Sequence, residues 1–295
     1  DAELLIVTDS NRDRAHHWRG SQDVHGHTEP GGPDDDVLVP TSSDQRLALF
    51  DTDDPATQTV AVQEGPATAI VSSYGEPSAY RPEDRAVMAI DGDPDTAWTV
   101  GDHGDPLGGR IRLRLDEPFD GSRPLVLRQV APPPGGRIIT SIRITIDDDR
   151  SITVGLGPDS YVAPGESISD PALDGATSIE IAIDAVSDGD PAVAASRAGV
   201  GFAEIDTGLG PTTEYIRVPT DAIDQQTDAA MAVVLTRLRI DSTDPWRSDP
   251  EPALRRLFSL GDQRSFDAKF TLRLDLGADD ARLAGFLDAD TPGIR

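Results

Sequence analysis

The run Met88-Ala-Ile-Asp-Gly-Asp-Pro-Asp-Thr-Ala-Trp98 sets Asp91, Asp93 and Asp95 at alternate positions on a Gly/Pro loop. Carboxylates spaced in this way converge their oxygens, which is what a hard cation such as Ca2+ requires. An EF-hand does not fit. With Asp91 as position 1, position 6 is Thr96 in place of Gly and position 12 is Asp102 in place of Glu, and no long helices flank the loop. Two readings stay open: a cation loop, or an acidic Asx-type turn without metal. A second cluster comes from His16, His17, His25 and His27, ligand types that suit zinc. Their neighbours Arg12, Arg14, Trp18 and Arg19 point instead to a polar packed or substrate-facing segment.

Other chemistries find no support. The absence of cysteine excludes disulfides, thiolate metal sites and thiol nucleophiles. No Gly-x-Ser-x-Gly elbow presents a serine nucleophile, so Ser-His-Asp sets exist only on paper. Gly31-Gly32, Gly108-Gly109 and Gly135-Gly136 lack the pattern of a phosphate loop, and the last, after Pro132-Pro133-Pro134, reads as a turn. Acidic residues are too many for spacing to single out a glycosidase acid/base pair. No catalytic residue is assigned.

The chain of 295 residues carries 53 acidic against 26 Lys and Arg side chains, a formal charge of −27. Nucleic acids and anionic membranes are bound by clustered Lys and Arg, so both are excluded as expected partners. Lys269 is the only lysine. No run approaches the ~20 apolar residues of a membrane helix, so no membrane insertion by this chain is expected. It starts at Asp1 without a leader pattern, which reads as a piece of something longer.

These chemistry-bearing loops need a scaffold, and the apolar pattern supplies strands. Ile111, Leu113 and Leu115 alternate with arginines; Ile142, Ile144 and Ile146 with Arg143 and Thr145; Ile179, Ile181 and Ile183 with Glu180 and Ala182. Phe270, Leu272, Leu274 and Leu276 repeat the pattern. One face of each strand enters a core and the other stays wet. With 27 Gly and 24 Pro between them, such strands predict an all-β sandwich. Helical signals are short: Ser10 to Trp18, a turn at Pro82-Glu83-Asp84, and Asp279 to Leu287. Three parts are expected. Residues 1–62 hold the strand Leu4 to Val7, a preceding region and an acidic linker; 63–208 form the sandwich; 209–295 open a further β-rich module with strands near Tyr215, Leu238 and Leu272.

The 89–98 run resembles the hallmark of the discoidin, or coagulation factor 5/8 type C, family. Ala69-Ile-Val-Ser-Ser-Tyr-Gly75 is similar to that family's opening strand and Val200-Gly-Phe-Ala-Glu-Ile205 to its closing one. The resemblance implies a jelly-roll β-sandwich, a sugar-binding role and a structural Ca2+. The ligands it implies are the Met88 carbonyl, the Asp91 carboxylate, the Asp93 carbonyl, the Thr96 carbonyl and hydroxyl, the Ala203 carbonyl and the Glu204 carboxylate. Trp98 is expected in the core. Tyr74, Tyr80 and His103, on expected loops, are the candidate sugar contacts.

Val7-Thr-Asp-Ser-Asn-Arg-Asp-Arg-Ala-His-His-Trp-Arg19, Gly26-His-Thr-Glu29 and Tyr80-Arg-Pro-Glu-Asp-Arg85 resemble, with the aspartate loop, the soluble part of the large actinobacterial α-(1→3)-arabinofuranosyltransferases. Those enzymes build the arabinan of arabinogalactan and lipoarabinomannan. The resemblance implies a non-catalytic module on the extracytoplasmic face of the cell membrane, part of a parent transferase and partnered by arabinan or a related cell-wall polysaccharide. The alternatives are a structural or protein-docking sandwich, and an independent β-sandwich glycosidase.

Overall fold

A computed structural model describes residues 4–9, 56, 59–75, 81–220, 230–237, 251, 253–260, 265 and 267–269. In chain order its strands are β1 (Leu4–Thr8), β2 (Val60–Glu64), β3 (Ala67–Val71), β4 (Trp98–Val100), β5 (Arg110–Leu115), β6 (Leu125–Gln129) and β7 (Ile139–Ile146). There follow β8 (Arg150–Gly155), β9 (Glu166–Ile168), β10 (Ser178–Val186), β11 (Val200–Asp206), β12 (Thr213–Arg217), β13 (Ala230–Val234) and β14 (Arg256–Leu257). The expected turn at Pro82 is present as short 3-10 segments, Pro82–Asp84 and Ala86–Ala89. The helical expectations at Ser10–Trp18 and 279–287, the strands near Leu238 and Leu272, and the histidines 16–27 lie outside the described residues.

Two antiparallel sheets make the sandwich: a five-stranded one in the order β3-β5-β10-β7-β8 and a four-stranded one in the order β4-β11-β6-β9. The alternation in the sequence explains the five-stranded sheet. Ile111 and Leu113, Ile142, Ile144 and Ile146, and Ile179 and Ile181 are all fully buried on its inner face. Trp98, Phe202, Leu125 and Leu127 meet them from the other sheet. Each such side chain contributes about 1.5–3 kcal/mol by leaving water. On the outer face the Arg112 guanidinium donates to Glu180 on the neighbouring strand, at 3.1 and 2.9 Å, so the polar half of the alternation is paired across the sheet.

The registers give the sandwich two distinct ends. β3 opposes β5 from Ala67↔Leu115 to Val71↔Ile111, and β10 opposes β7 from Ile179↔Ile146 to Val186↔Ile139. Residues 72–75 and Arg81, with the loops 101–109, 130–138 and 187–199, therefore share one end, here the tip. Loops 88–97, 116–124 and 206–212 share the other, the base, together with the chain entry at Gly65-Pro66.

Strands from the two flanking segments pair with each other. β2 runs antiparallel to β12, which is parallel to β14, and β1 is parallel to β13. Val7 and Val218 form a small second core with Leu5, Met231, Val233 and Phe258 packed on it. The flanks hold the base firmly: the Thr212 amide donates to the Ile90 carbonyl at 2.8 Å, its hydroxyl to the Ala67 carbonyl at 2.6 Å, and Arg85 pairs with Glu214.

Gly201 on β11 lies so close to β4 that a Cβ there falls 1.8 Å from the Trp98 carbonyl oxygen. Gly201→Ala must push β4 off β11, at about 1–3 kcal/mol. A urea melt should show this loss; an unchanged midpoint would mean the strand contact is not as close as described.

Candidate functional site

At the base, the aspartate loop forms through consecutive Asx turns. The Asp93 amide donates to Asp91 Oδ1 and the Asp95 amide to Asp93 Oδ1, both at 3.0 Å. Gly92 takes a φ of +75°, where a side chain is strained and where a Cβ would meet Pro211 at 2.9 Å. This local geometry belongs to both readings of the loop.

What the turns gather is a surplus of oxygen. Thr96 Oγ1 stands 2.9 Å from each Asp91 carboxylate oxygen, 2.8 Å from the Asp93 carbonyl and 3.3 Å from the Met88 carbonyl. A hydroxyl has one proton to donate; with the Asp93 amide on Asp91 Oδ1 and the Thr96 amide on the Asp93 carbonyl at 3.1 Å, the gathered oxygens still outnumber the protons these groups offer them.

Glu204 joins them from the closing strand. Between β11 and β6 the pairs run Phe202↔Gln129 and then Glu204↔Arg128, so Ala203 is the extra residue of a β-bulge. The bulge lets Phe202 and Ile205, three apart, both enter the core and turns Glu204 toward the loop. Burial raises the Glu204 carboxyl to about 7; the charges of Asp91 and Asp206 push the same way, while the Gly92 amide opposes them. Asp91 is also raised, first by burial. Two carboxylates facing each other in a partly dry pocket resist ionising together unless a cation lies between them. Among the described residues, no cluster of three or more His, Asp or Glu side chains has metal-site geometry. Here the set is two carboxylates with carbonyl and hydroxyl oxygens, a composition that suits Ca2+ and not a transition metal.

At the tip, His103 is exposed with 60% of its side chain accessible, and its Nδ1 lies 3.0 Å from Asp102. Asp102 is also 3.4 Å from Arg81. Behind them Asp84 is raised to about 7 by burial and by the neighbouring Glu83, against the side-chain hydrogen bond with Thr99 and the charge of Arg81. Tyr74 is 8% exposed and belongs to the core cluster. Tyr80 lies outside the described residues. Trp98 is fully buried, stacked on Phe202 at 6.1 Å, with Nε1 donating to the Ser73 carbonyl at 2.9 Å.

The structure thus brings Met88, Asp91, Asp93, Thr96 and Glu204 into one loop junction and leaves His103 at the opposite end. Sequence reasoning singled out His103 but not its partners Asp102 and Arg81, nor Arg137, which sits between the tip loops. Charges separated along the chain and joined only by folding leave no spacing signal.

Two packed antiparallel sheets define a protein of the all-β sandwich class. No protein-family model and no curated protein sequence matches the chain. Solved structures similar to it include arabinofuranosyltransferase AftD from Mycobacteria (19% identity, TM-score 0.42, covering 62% of this chain and 14% of that one). A mutant form of the same enzyme gives 21% identity and a TM-score of 0.47, covering 72% of this chain and 16% of that one. The family 32 carbohydrate-binding module of NanJ from Clostridium perfringens, in complex with galactose, gives 18% identity and a TM-score of 0.33, covering 49% of this chain and 97% of that one. The chain spans about a sixth of the transferases' length. Among the described residues no helix is long and apolar enough to cross a membrane.

Proposed function

We propose that this chain is a non-catalytic carbohydrate-binding module of a membrane arabinofuranosyltransferase of cell-wall arabinan synthesis, holding the acceptor glycan on the tip loops outside the cytoplasm. The observation that carries the reading is the polarity of the sandwich. Both chain connections and the aspartate loop occupy the base, whereas the Arg81–Asp102–His103 chain lies at the tip. Hydroxyl-rich, uncharged sugars are recognised by such partly exposed polar groups whose positions are already set by their neighbours. A module tethered near an active site raises the local concentration of its glycan without doing chemistry.

At the base, Ca2+ is the ion the oxygens fit. The Asp91 and Glu204 carboxylates would hold it with the Met88, Asp93, Thr96 and Ala203 carbonyls and the Thr96 hydroxyl. Its chemistry there is neutralisation of two facing carboxylates, which ties the loop after Met88 to the closing strand. The site's own groups do the rest, since Gly92 makes the turn and the Ala203 bulge aims Glu204.

Calorimetric titration of oligo-arabinofuranosides into the whole chain, with Ca2+ present, tests the sugar reading. Binding is expected, with His103→Ala weakening it roughly threefold to tenfold, the worth of one hydrogen bond. No heat with any arabinan would remove the sugar reading in favour of a structural or docking sandwich; full affinity in His103→Ala would remove the placing of the site on the tip at His103.

A further inference from the structure

Arg137 carries the most unusual set of contacts at the tip. It follows Pro132-Pro133-Pro134 and the turn closed by the Gly136 amide on the Pro133 carbonyl, at 2.7 Å, so its backbone is held stiffly. Its guanidinium faces carbonyl oxygens on two other loops. Nη2 donates to Gly101 at 2.9 Å, Arg197 at 3.1 Å and Ala198 at 2.9 Å; Nη1 donates to Gly104 at 3.1 Å; Nε donates to Ala198 at 3.2 Å. A planar fork of five N–H donors can serve converging carbonyls in this way, and an ammonium cannot. Partial desolvation makes the Arg137 cation less favourable than usual, which is a cost that the carbonyl contacts offset.

The loop so held is the one that carries Asp102 and His103. Gly101 takes a φ of +76° and His103 one of +56°, a conformation costly for a residue with a side chain. The His103 amide donates to the Arg197 carbonyl at 2.8 Å, the same oxygen that Arg137 reaches from the other side. Asp190 and Gly135 join the third loop to the second through another amide–carbonyl contact, at 2.9 Å. Loops 101–104, 130–137 and 197–198 therefore meet at one guanidinium.

We propose that Arg137 is a positioning residue for glycan binding: by clamping the carbonyls of Gly101, Gly104, Arg197 and Ala198 it holds His103 and Asp102 in the arrangement that meets the sugar. This role rests on the reading of the tip as the glycan site, and it adds a residue that itself touches no ligand. It predicts a loss of affinity without a matching loss of global stability, because the core strands make no use of the fork.

The test uses the whole chain with Arg137→Ala and Arg137→Lys, the latter keeping the charge without the fork. Hydrogen exchange is followed at the His103 and Gly104 amides and, as a control, at the core amides of Ile144 and Ile181. Both variants are expected to speed exchange at His103 and Gly104 by roughly tenfold or more while the core amides stay unchanged. Arabinan affinity should fall by about tenfold in each. Unchanged exchange at His103 overturns the clamp. Faster exchange with unchanged affinity overturns its role in binding, as does a uniform rise across the core amides, the mark of general destabilisation. Full recovery in Arg137→Lys shows that charge and not the fork matters, and overturns it too. A wild-type chain that binds no arabinan removes the glycan reading and this role with it, while the exchange data still report separately whether the clamp exists.

Discussion

Trp98→Ala is expected to destabilise the sandwich by about 3–5 kcal/mol, the largest loss of any single change considered. Trp98 is fully buried at the start of β4, and its ring stacks on Phe202 across the sheet at 6.1 Å. Its removal leaves a cavity between two layers that cannot close, because β4 is pinned to β11 over Val200↔Val100 to Phe202↔Trp98. It also strips the Ser73 carbonyl of the indole donor at 2.9 Å, at the foot of the loop that leads toward the tip. Trp98→Phe keeps most of the volume and loses the donor, so it should cost about 1–3 kcal/mol. Chemical unfolding monitored by circular dichroism orders the three proteins. If alanine and phenylalanine cost the same, volume is not the controlling quantity and the packing account fails.

Ca2+ is expected to raise the melting temperature, and to raise it more at pH 7.5 than at pH 5. At a free concentration of 100 Kd, binding adds about 2.7 kcal/mol to the folded state, or roughly 5–10 °C for a sandwich of this size. The sign of the pH effect follows from Glu204. Its carboxyl lies at about 7 in the folded metal-free protein against an ordinary 4.5. A raised carboxyl binds its proton more tightly when folded. Its contribution is therefore complete below about 4.5 and is lost as pH rises through about 7. Asp84, also held at about 7, adds a loss of the same sign at the tip, and Ca2+ leaves that part untouched. The ion binds the ionised form of Glu204, so its affinity grows over the interval in which the metal-free protein weakens. Glu204→Gln should remove the Ca2+ response and flatten part of the pH dependence, with Asp84 supplying what remains. Scanning calorimetry at both pH values decides it: a melting temperature indifferent to Ca2+ at pH 7.5 leaves the loop as a set of Asx turns.

The strands with the strictest alternation were the most legible. β5, β7 and β10 follow from arginine–isoleucine and isoleucine–threonine repeats, because a half-buried sheet demands period two from any sequence that forms it. The aspartate loop was legible for a related reason: an Asx turn needs its acceptor two residues before its amide, a purely local requirement. The Ala203 bulge was not legible, because register depends on β6 and on the spacing of Phe202 and Ile205 against a core the sequence does not draw. Pro132 to Gly136 reads as a turn, and so it is, but nothing in that run says that Arg137 beyond it reaches carbonyls some 33 to 61 positions away.

By itself, then, the amino-acid sequence determined the class of fold and the loop able to gather oxygens, since both depend on neighbours within a few residues. Only the tertiary structure decided which end of the sandwich is which. Opposed registers place Gly65-Pro66, Pro211 and the aspartate loop at the base, and the same registers carry His103, Asp102 and Arg137 to the tip. The physical reason is that polarity along a sandwich is a property of strand order and direction. Those are set by which apolar faces bury one another across long stretches of chain, and no local pattern encodes that choice.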